Sequence, residues 1–298
     1  MRKTIAEYIE SITTVMPYSI NIRLFRRALM VFLLCNTFFL LPFSETLYGI
    51  SSYFIPFDAS NNILLRVLSL LEKPWFASHW QWFVAAQIIS ILACLLLPYK
   101  RISTILVYFF TANLYHKTIP IQNAGFNLLV MVLFILIFMD EKATETKHHK
   151  WRIINTTVTN FAFWAARLQV IIMYVVASIY KLYGETWLNG TAFYYVLFTD
   201  TFSHPWVRDL LIGNSFFIHA ITWFALGFQM LFPVFVWFKY TKPVMIALGV
   251  CFHIMIMFVI GIIDFGIIML IMYLLFYEPL SPSFGKLRKV SSEDEFTS

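Results

Sequence analysis

Apolar segments long enough to cross a lipid bilayer alternate with short polar segments along most of this 298-residue chain. A membrane-spanning helix needs about 20 predominantly apolar residues. Eight segments approach that length: 24–42, 80–97, 102–118, 124–139, 161–181, 215–238, 243–262 and 264–279. The pattern predicts an all-α, polytopic integral membrane protein with eight transmembrane helices, because helices satisfy their own backbone hydrogen bonds in lipid.

The composition excludes an ordinary soluble fold. Hydrophobic residues make up 60% of the chain and charged residues 13%, whereas an average soluble domain is about 45–50% apolar and about 25% charged. A soluble fold of this length could not bury so much apolar surface. The lipid bilayer is therefore the expected partner of these segments.

Basic residues mark one side of the predicted membrane protein. Lys and Arg occur before the first span, between spans two and three, four and five, and six and seven, and after the last span, but are sparse in the opposite segments. Cytoplasmic loops carry such an excess. The pattern predicts a multi-pass protein of the plasma (inner) membrane with both termini in the cytoplasm. The net charge of +6 follows from this topology and indicates no nucleic-acid partner.

A single transmembrane domain at 23–280 is expected between two short end segments. Residues 4–16 carry apolar side chains at helical spacing, which predicts an amphipathic helix within 1–22 on the cytoplasmic membrane surface. Residues 281–298 are expected to form a disordered tail. The three cysteines lie in apolar runs without metal-ligand spacing, so no metal site is predicted.

Lys181 ends the fifth predicted span and has two interpretations. Lysines near helix ends commonly extend toward the membrane interface, which favours an interfacial anchor. Alternatively, Tyr180, Tyr183 and Trp187 enclose the lysine, and the loss of hydration would make its amine a usable base.

His253 lies in the middle of the seventh span, too deep for a short imidazole to reach the interface. One interpretation is a neutral histidine hydrogen-bonded between helices. The other is a proton-transfer or ligand-binding group that faces a cavity. Gln229 and Asn127 also lie within spans, where amides commonly join helices. The aromatic segment 182–214 is expected to pack on the outer mouth of the bundle or to dip into it.

A family resemblance rests on motifs in a shared order. The sequence ASIYKL at 177–182, followed by ETWLNGTAFYY at 185–195, resembles the central motif of the horizontally transferred transmembrane (HTTM) family, which is related to the membrane part of vitamin K-dependent γ-glutamyl carboxylase. The turn at 123–129, the segment 231–233 and the pair Phe252–His253 followed by Asp264–Phe265 agree in order. The resemblance covers about residues 20–280.

The resemblance implies roles for individual residues. Lys181 would be the catalytic base, and His253 a neighbouring catalytic group that polarises or orders the substrate. The residues leave the cofactor unidentified, and the resemblance implies a reduced quinone such as vitamin K hydroquinone. Predicted substrate-binding residues are Tyr180, Trp187, Asn189, Gln229 and Asn127.

Two functions follow as hypotheses. In the first, a carboxylase-like membrane protein acts on or matures an exported peptide or a quinone-linked substrate at the outer face, as does a family member of similar length that matures a sporulation-delaying type of secreted peptide toxin. In the second, a non-enzymatic scaffold or escort binds an exported peptide or a partner membrane protein. Convergence of Lys181 and His253 on one cavity would favour the first.

Overall fold

The computed structural model describes residues 13–52, 67–98, 100–118, 123–199 and 205–277, and all regular structure within these ranges is helical. The α-helices are α1 Ser19–Leu40, α2 Ser44–Tyr48, α3 Pro74–Ser78, α4 Trp80–Leu96, α5 Lys100–Lys117, α6 Ala124–Leu136, α7 His149–Leu182, α8 Glu185–Leu188, α9 Ala192–Leu197, α10 Pro205–Leu211, α11 Ser215–Phe235, α12 Lys242–Met255 and α13 Ile263–Met272. The tail at 281–298 and most of the amphipathic helix predicted at 4–16 lie outside the described residues. The boundary predicted between 22 and 23 falls within α1.

Four helical stretches are long and apolar enough to cross a membrane: Ser19–Tyr48, His149–Leu182, Ser215–Phe235 and Lys242–Ile260. In the first, α1 continues through the 3-10 turn Leu41–Phe43 into α2. Trp80–Leu96, Ala124–Leu136 and Ile263–Leu275 are apolar but shorter. The predicted all-helical, membrane-embedded class is thus confirmed, and four of the eight predicted segments reach spanning length.

Helix α7 begins at His149, twelve residues before the span predicted at 161–181, and contains that span. Its first turns are rich in Thr and Asn, which are typical of a loop, but these side chains pack inside the protein. Thr159 accepts a hydrogen bond from the Asp140 backbone at 3.1 Å, and Asn160 donates to the carbonyl of Val15 at 2.9 Å. Tertiary hydrogen bonds of Thr159 and Asn160 therefore join this polar part of α7 to neighbouring segments.

The helices form a bundle in which α13 joins two halves. Helix α1 packs against α4 and α13, α4 packs against α5, α5 against α6, and α6 against α7 and α13. In the second half, α7 packs against α11, α11 against α12, and α12 against α13. Because α13 contacts α1, α6 and α12, residues at its ends lie close to both halves.

Two arginines are buried inside the bundle and donate to backbone carbonyls. Arg26 on α1 is 2% exposed and donates to Thr104 Oγ1 at 2.5 Å and to the carbonyl of Met139. Arg167 on α7 is 3% exposed, and its guanidinium lies within 5.4 Å of the ring centroids of Tyr18, Phe163, Trp164 and Phe276. A buried charge is costly unless it is paired with polar or aromatic groups. Both arginines therefore fix the helices around them.

The chain breaks between α12 and α13, where the predicted spans 243–262 and 264–279 meet. Helix α12 ends in a π-helical segment, Ile256–Ile260, and Gly261 follows with a φ of 81°, a left-handed conformation that glycine adopts at little cost. Asn123, which precedes α6, donates to Asp264 Oδ2 at 2.8 Å. The bond joins the first turn of α13 to the start of α6.

Candidate ligand cavity

A cavity of about 390 Å³ lies among α7, α11, α12 and the break before α13. Its lining is mainly apolar and aromatic. Lys181, His253, Gln229 and Thr222 contribute polar side chains to it. The lining also includes Ala124, Met173, Tyr174, Ala177, Trp187, Phe193, Val196, Ile221, Ala225, Phe252, Met255, Ile256, Ile260, Ile262 and Phe265. Small-molecule sites commonly combine such an apolar wall with a few polar groups that fix the ligand.

Lys181 enters the cavity from the C-terminal end of α7. Its ammonium lies 4.9 Å from the ring centroid of Trp187, in a cation–π contact. No hydrogen bond or ion pair involves its side chain within the described ranges. The lysine is half-buried, so its charge is held by an aromatic face and by the cavity rather than by a carboxylate.

His253 is completely buried on α12 and is bound on one side only. Its Nε2 lies 2.8 Å from Tyr174 Oη, and Tyr174 Oη lies 2.5 Å from Tyr273 Oη. Nδ1 of the imidazole is buried and has no hydrogen-bonding partner in the described part of the chain. An unsatisfied buried polar atom costs free energy, and a bound ligand would remove that cost.

Gln229 on α11 supplies a second unsatisfied polar group. The side chain is 8% exposed, and its buried Oε1 has no hydrogen-bonding partner among the described residues. Gln229 and His253 both line the cavity. Two unsatisfied groups in one apolar cavity indicate a site for a ligand that carries hydrogen-bonding atoms.

The segment after Lys181 covers this end of the cavity. The Phe193 backbone donates to Thr222 Oγ1 at 3.0 Å, and Trp223 Nε1 donates to the carbonyl of Leu188 at 3.3 Å. Gly190 has a φ of 82°, and a Cβ added there would lie 2.7 Å from His219 Cδ2. Only glycine therefore allows this turn to approach α11 so closely.

Three of the predicted substrate-binding residues lie outside the cavity lining. Tyr180 is 75% exposed and is not part of the lining. Asn189 accepts hydrogen bonds from Thr191 Oγ1 and the Thr191 backbone, which closes the turn after α8. Asn127 accepts a hydrogen bond from Tyr115 on α5. The structure thus brings Lys181, Trp187, Gln229 and His253 together and uses Asn127 and Asn189 in local structural contacts.

Tyr174 and Tyr273 were not among the site residues predicted from the sequence. Each lies in an apolar run, where a tyrosine resembles a membrane-facing aromatic residue, and their sequence separation gives no signal of contact. A spacing signal existed only for Tyr174, which lies seven positions, or two helical turns, before Lys181 on the same face of α7. No group of three or more His, Cys, Asp or Glu side chains able to hold a metal ion occurs within the residues that the structure describes.

Fold and site together define a membrane-embedded, all-helical protein with an apolar internal cavity that carries unsatisfied polar groups. A comparison with curated proteins matches the sporulation-delaying protein SdpB of Bacillus subtilis (strain 168), at 23% identity over 243 residues. The match covers 76% of this chain and 66% of that relative, just under two thirds of its length. No model of a known protein family matches the chain, and no solved structure matches it. The similarity agrees with the predicted resemblance to a sporulation-delaying type of membrane protein, and no family model shows membership of the HTTM family.

Proposed function

We propose that this chain is an eight-span, HTTM-like membrane protein that takes part in the maturation of an exported peptide, with the cavity between Lys181 and His253 at the outer face as its site. The observation that carries the proposal is the cavity itself, in which a lysine and two unsatisfied buried polar groups share an apolar enclosure. The distant similarity to a sporulation-delaying protein supports the peptide-related role. The alternation of basic segments supports cytoplasmic termini.

The residues present fit a quinone-type cofactor. A flat apolar ring with oxygen substituents would pack against Trp187, Phe252 and Phe265, while its oxygens would reach the unsatisfied atoms of Gln229 and His253. A reduced quinone supplies hydroxyl protons and reducing equivalents when it is bound. The chain's own contribution is to hold the ring, exclude water and accept a proton.

Lys181 is the residue that would accept this proton. A neutral amine can take the proton of an enclosed hydroxyl onto Nζ, and the resulting ammonium is stabilised by the face of Trp187. His253 and Gln229 would bind ligand oxygens and orient the hydroxyl toward Nζ. The lysine would thus act as the base, and the other two residues as binding groups.

A deletion strain of the organism that encodes the chain tests the proposal. Exported peptides are compared by mass spectrometry between the deletion strain and strains that express the wild type or Lys181→Met. We expect at least one mature peptide to disappear in the deletion strain and to remain absent with Lys181→Met, which keeps the apolar stem and removes the amine.

Lys73→Met is the matched control, because Lys73 is an exposed lysine that the eight-span topology places on the same side of the membrane as Lys181. It should restore the peptide fully. An unchanged set of exported peptides in the deletion strain would refute a role in maturation. Restoration by Lys181→Met would instead favour the scaffold or escort function, in which the lysine is an interfacial anchor.

A further inference from the structure

Three buried side chains form one hydrogen-bonded chain behind the cavity. Tyr273 Oη lies 2.5 Å from Tyr174 Oη, which lies 2.8 Å from His253 Nε2. All three side chains are buried. Neither tyrosine has a further side-chain hydrogen bond within the ranges that the structure describes. The number of available hydrogens therefore determines which group donates and which accepts in each of the two hydrogen bonds.

Each phenol has one hydrogen to donate. If Tyr273 donates to Tyr174 and Tyr174 donates to His253 Nε2, both hydroxyl hydrogens are used. Any arrangement in which Nε2 carries a hydrogen leaves one buried hydroxyl hydrogen without an acceptor. Donation toward Nε2 leaves Nδ1–H as the donor without a protein partner among the described residues, whereas the reverse direction leaves the hydroxyl hydrogen of Tyr273. His253 lines the cavity, where a ligand or water can accept from Nδ1–H, but Tyr273 is not part of that lining. Buried donors that no acceptor can reach are disfavoured. The favoured direction therefore makes Nε2 an acceptor.

The imidazole is neutral for an electrostatic reason. The cavity lining contains Lys181 and no acidic side chain among the described residues. A positive charge at His253 would be buried without a counter-charge. In a neutral imidazole whose Nε2 accepts, Nδ1 carries the hydrogen. Nδ1 is also the ring nitrogen without a protein partner in the described residues.

Gly249 makes the tyrosine chain possible. A Cβ added at this position on α12 would lie 2.2 Å from Tyr273 Oη, far inside contact distance. Any other residue would displace the hydroxyl from Tyr174. Gly249 therefore positions Tyr273, and through it the proton on His253.

We infer that Tyr273 and Tyr174 hold His253 as the Nδ1–H tautomer, so that the cavity presents a hydrogen-bond donor selective for apolar ligands that carry an acceptor oxygen. The tautomer rests on the hydrogen-bonding geometry and on an acceptor within the cavity, whereas the selectivity rests on the proposed ligand-binding role of the cavity. A carbonyl oxygen on an aromatic or aliphatic body is the ligand chemistry that satisfies Nδ1–H.

Nitrogen-15 NMR of the full chain in lipid nanodiscs tests the tautomer, because protonated and unprotonated imidazole nitrogens resonate apart. The chain contains seven histidines, and His253→Asn identifies the resonances of His253. We expect Nδ1 to be protonated and Nε2 unprotonated in the wild type. Tyr174→Phe and Gly249→Ala should each produce a mixture of tautomers. A protonated Nε2 in the wild type would overturn the inference.

Gly227→Ala is the matched control for Gly249→Ala, since a Cβ at Gly227 on α11 meets no atom within 4 Å. It should leave the His253 resonances unchanged. If Gly249→Ala leaves them unchanged as well, the tyrosine chain does not set the tautomer.

Two probes of the same shape test the selectivity. 2-Acetylnaphthalene, which carries a carbonyl, should shift the His253 Nδ1 resonance, and 2-ethylnaphthalene should not. Equal shifts with both probes, or none with either, would overturn the selectivity. These spectra need no peptide, so their failure is distinct from failure of the maturation test, which reads only exported peptides.

Discussion

Arg167 Nε donates to the carbonyl oxygen of Leu275 at 2.7 Å, joining the middle of α7 to the 3-10 turn Tyr273–Leu275 that follows α13. The same turn carries Tyr273, which contacts the Tyr174–His253 pair. The buried arginine therefore stabilises the segment that supports the cavity.

Arg167→Lys should destabilise the protein although the charge is kept. A lysine cannot reproduce the planar donor that bonds the Leu275 carbonyl while it contacts four aromatic rings. We expect a loss of about 2 kcal/mol, the size of a hydrogen bond to a charged group. Thermal unfolding in detergent measures the change. The exposed Arg23 on α1 provides the control, and equal melting of Arg167→Lys and Arg23→Lys would contradict this role.

Gln229→Leu should raise stability and lower function. The substitution removes a buried amide that has no protein partner in the described chain, so the free energy of unfolding should increase by about 1 kcal/mol. Peptide maturation should fall, because a ligand contact is lost.

Gln87, a second buried glutamine, provides the control for the change in stability. Gln87 donates to Thr111 Oγ1 at 3.1 Å, and Gln87→Leu should destabilise by about 1–2 kcal/mol. Destabilisation by both substitutions would argue that Gln229 is structural.

Gly190→Ala should loosen the segment that covers the cavity. The added methyl group would collide with His219 and Trp223, and φ of 82° is unfavourable for alanine. A single cysteine at the buried position Phe193 reports the change, in a background without Cys35, Cys94 and Cys251. Thiol labelling should accelerate at least severalfold with Gly190→Ala. Gly213→Ala, where a Cβ meets nothing within 4 Å, should leave the labelling rate unaltered.

Lys181→Arg distinguishes a base from an anchor. Guanidinium keeps the charge and the aromatic contact but does not deprotonate at physiological pH. We expect no mature peptide with Lys181→Arg, as with Lys181→Met. Membrane insertion and expression, followed by immunoblotting of membranes, should equal those of the wild type. Full maturation with Lys181→Arg would show that only the positive charge matters.

The eight-span topology predicts which exposed positions face the outside of the cell. Single cysteines at Lys73 and Asn214 should react with an impermeant thiol reagent in intact cells, and cysteines at Lys142 and Lys239 should react only after permeabilisation. The three predicted spans in α4, α5 and α6 lie between Lys73 and Lys142, so the pair tests whether all three helices cross the membrane. Labelling of Lys142→Cys from outside would reduce the span count.

Hydropathy located the helices well because each apolar run must be buried in lipid or protein. It gave no sign of the additional turns at the start of α7, where Thr159 and Asn160 form hydrogen bonds with the backbone of Asp140 and Val15. Hydropathy placed Lys181 at the end of one predicted span and His253 in the middle of another. It could not show that Tyr174 and Tyr273 form a hydrogen-bonded series with His253. The contact between these tyrosines depends on helix rotation and on the space at Gly249, neither of which is encoded in a local pattern.

The π-helical segment Ile256–Ile260 has an evolutionary consequence. Deletion of one residue there would restore regular winding and turn His253 by about 100° relative to Tyr273. A related chain could then keep every side chain of the cavity and still separate the imidazole from its tyrosines. In this part of the gene, codon insertions and deletions should be purged more strictly than amino-acid replacements.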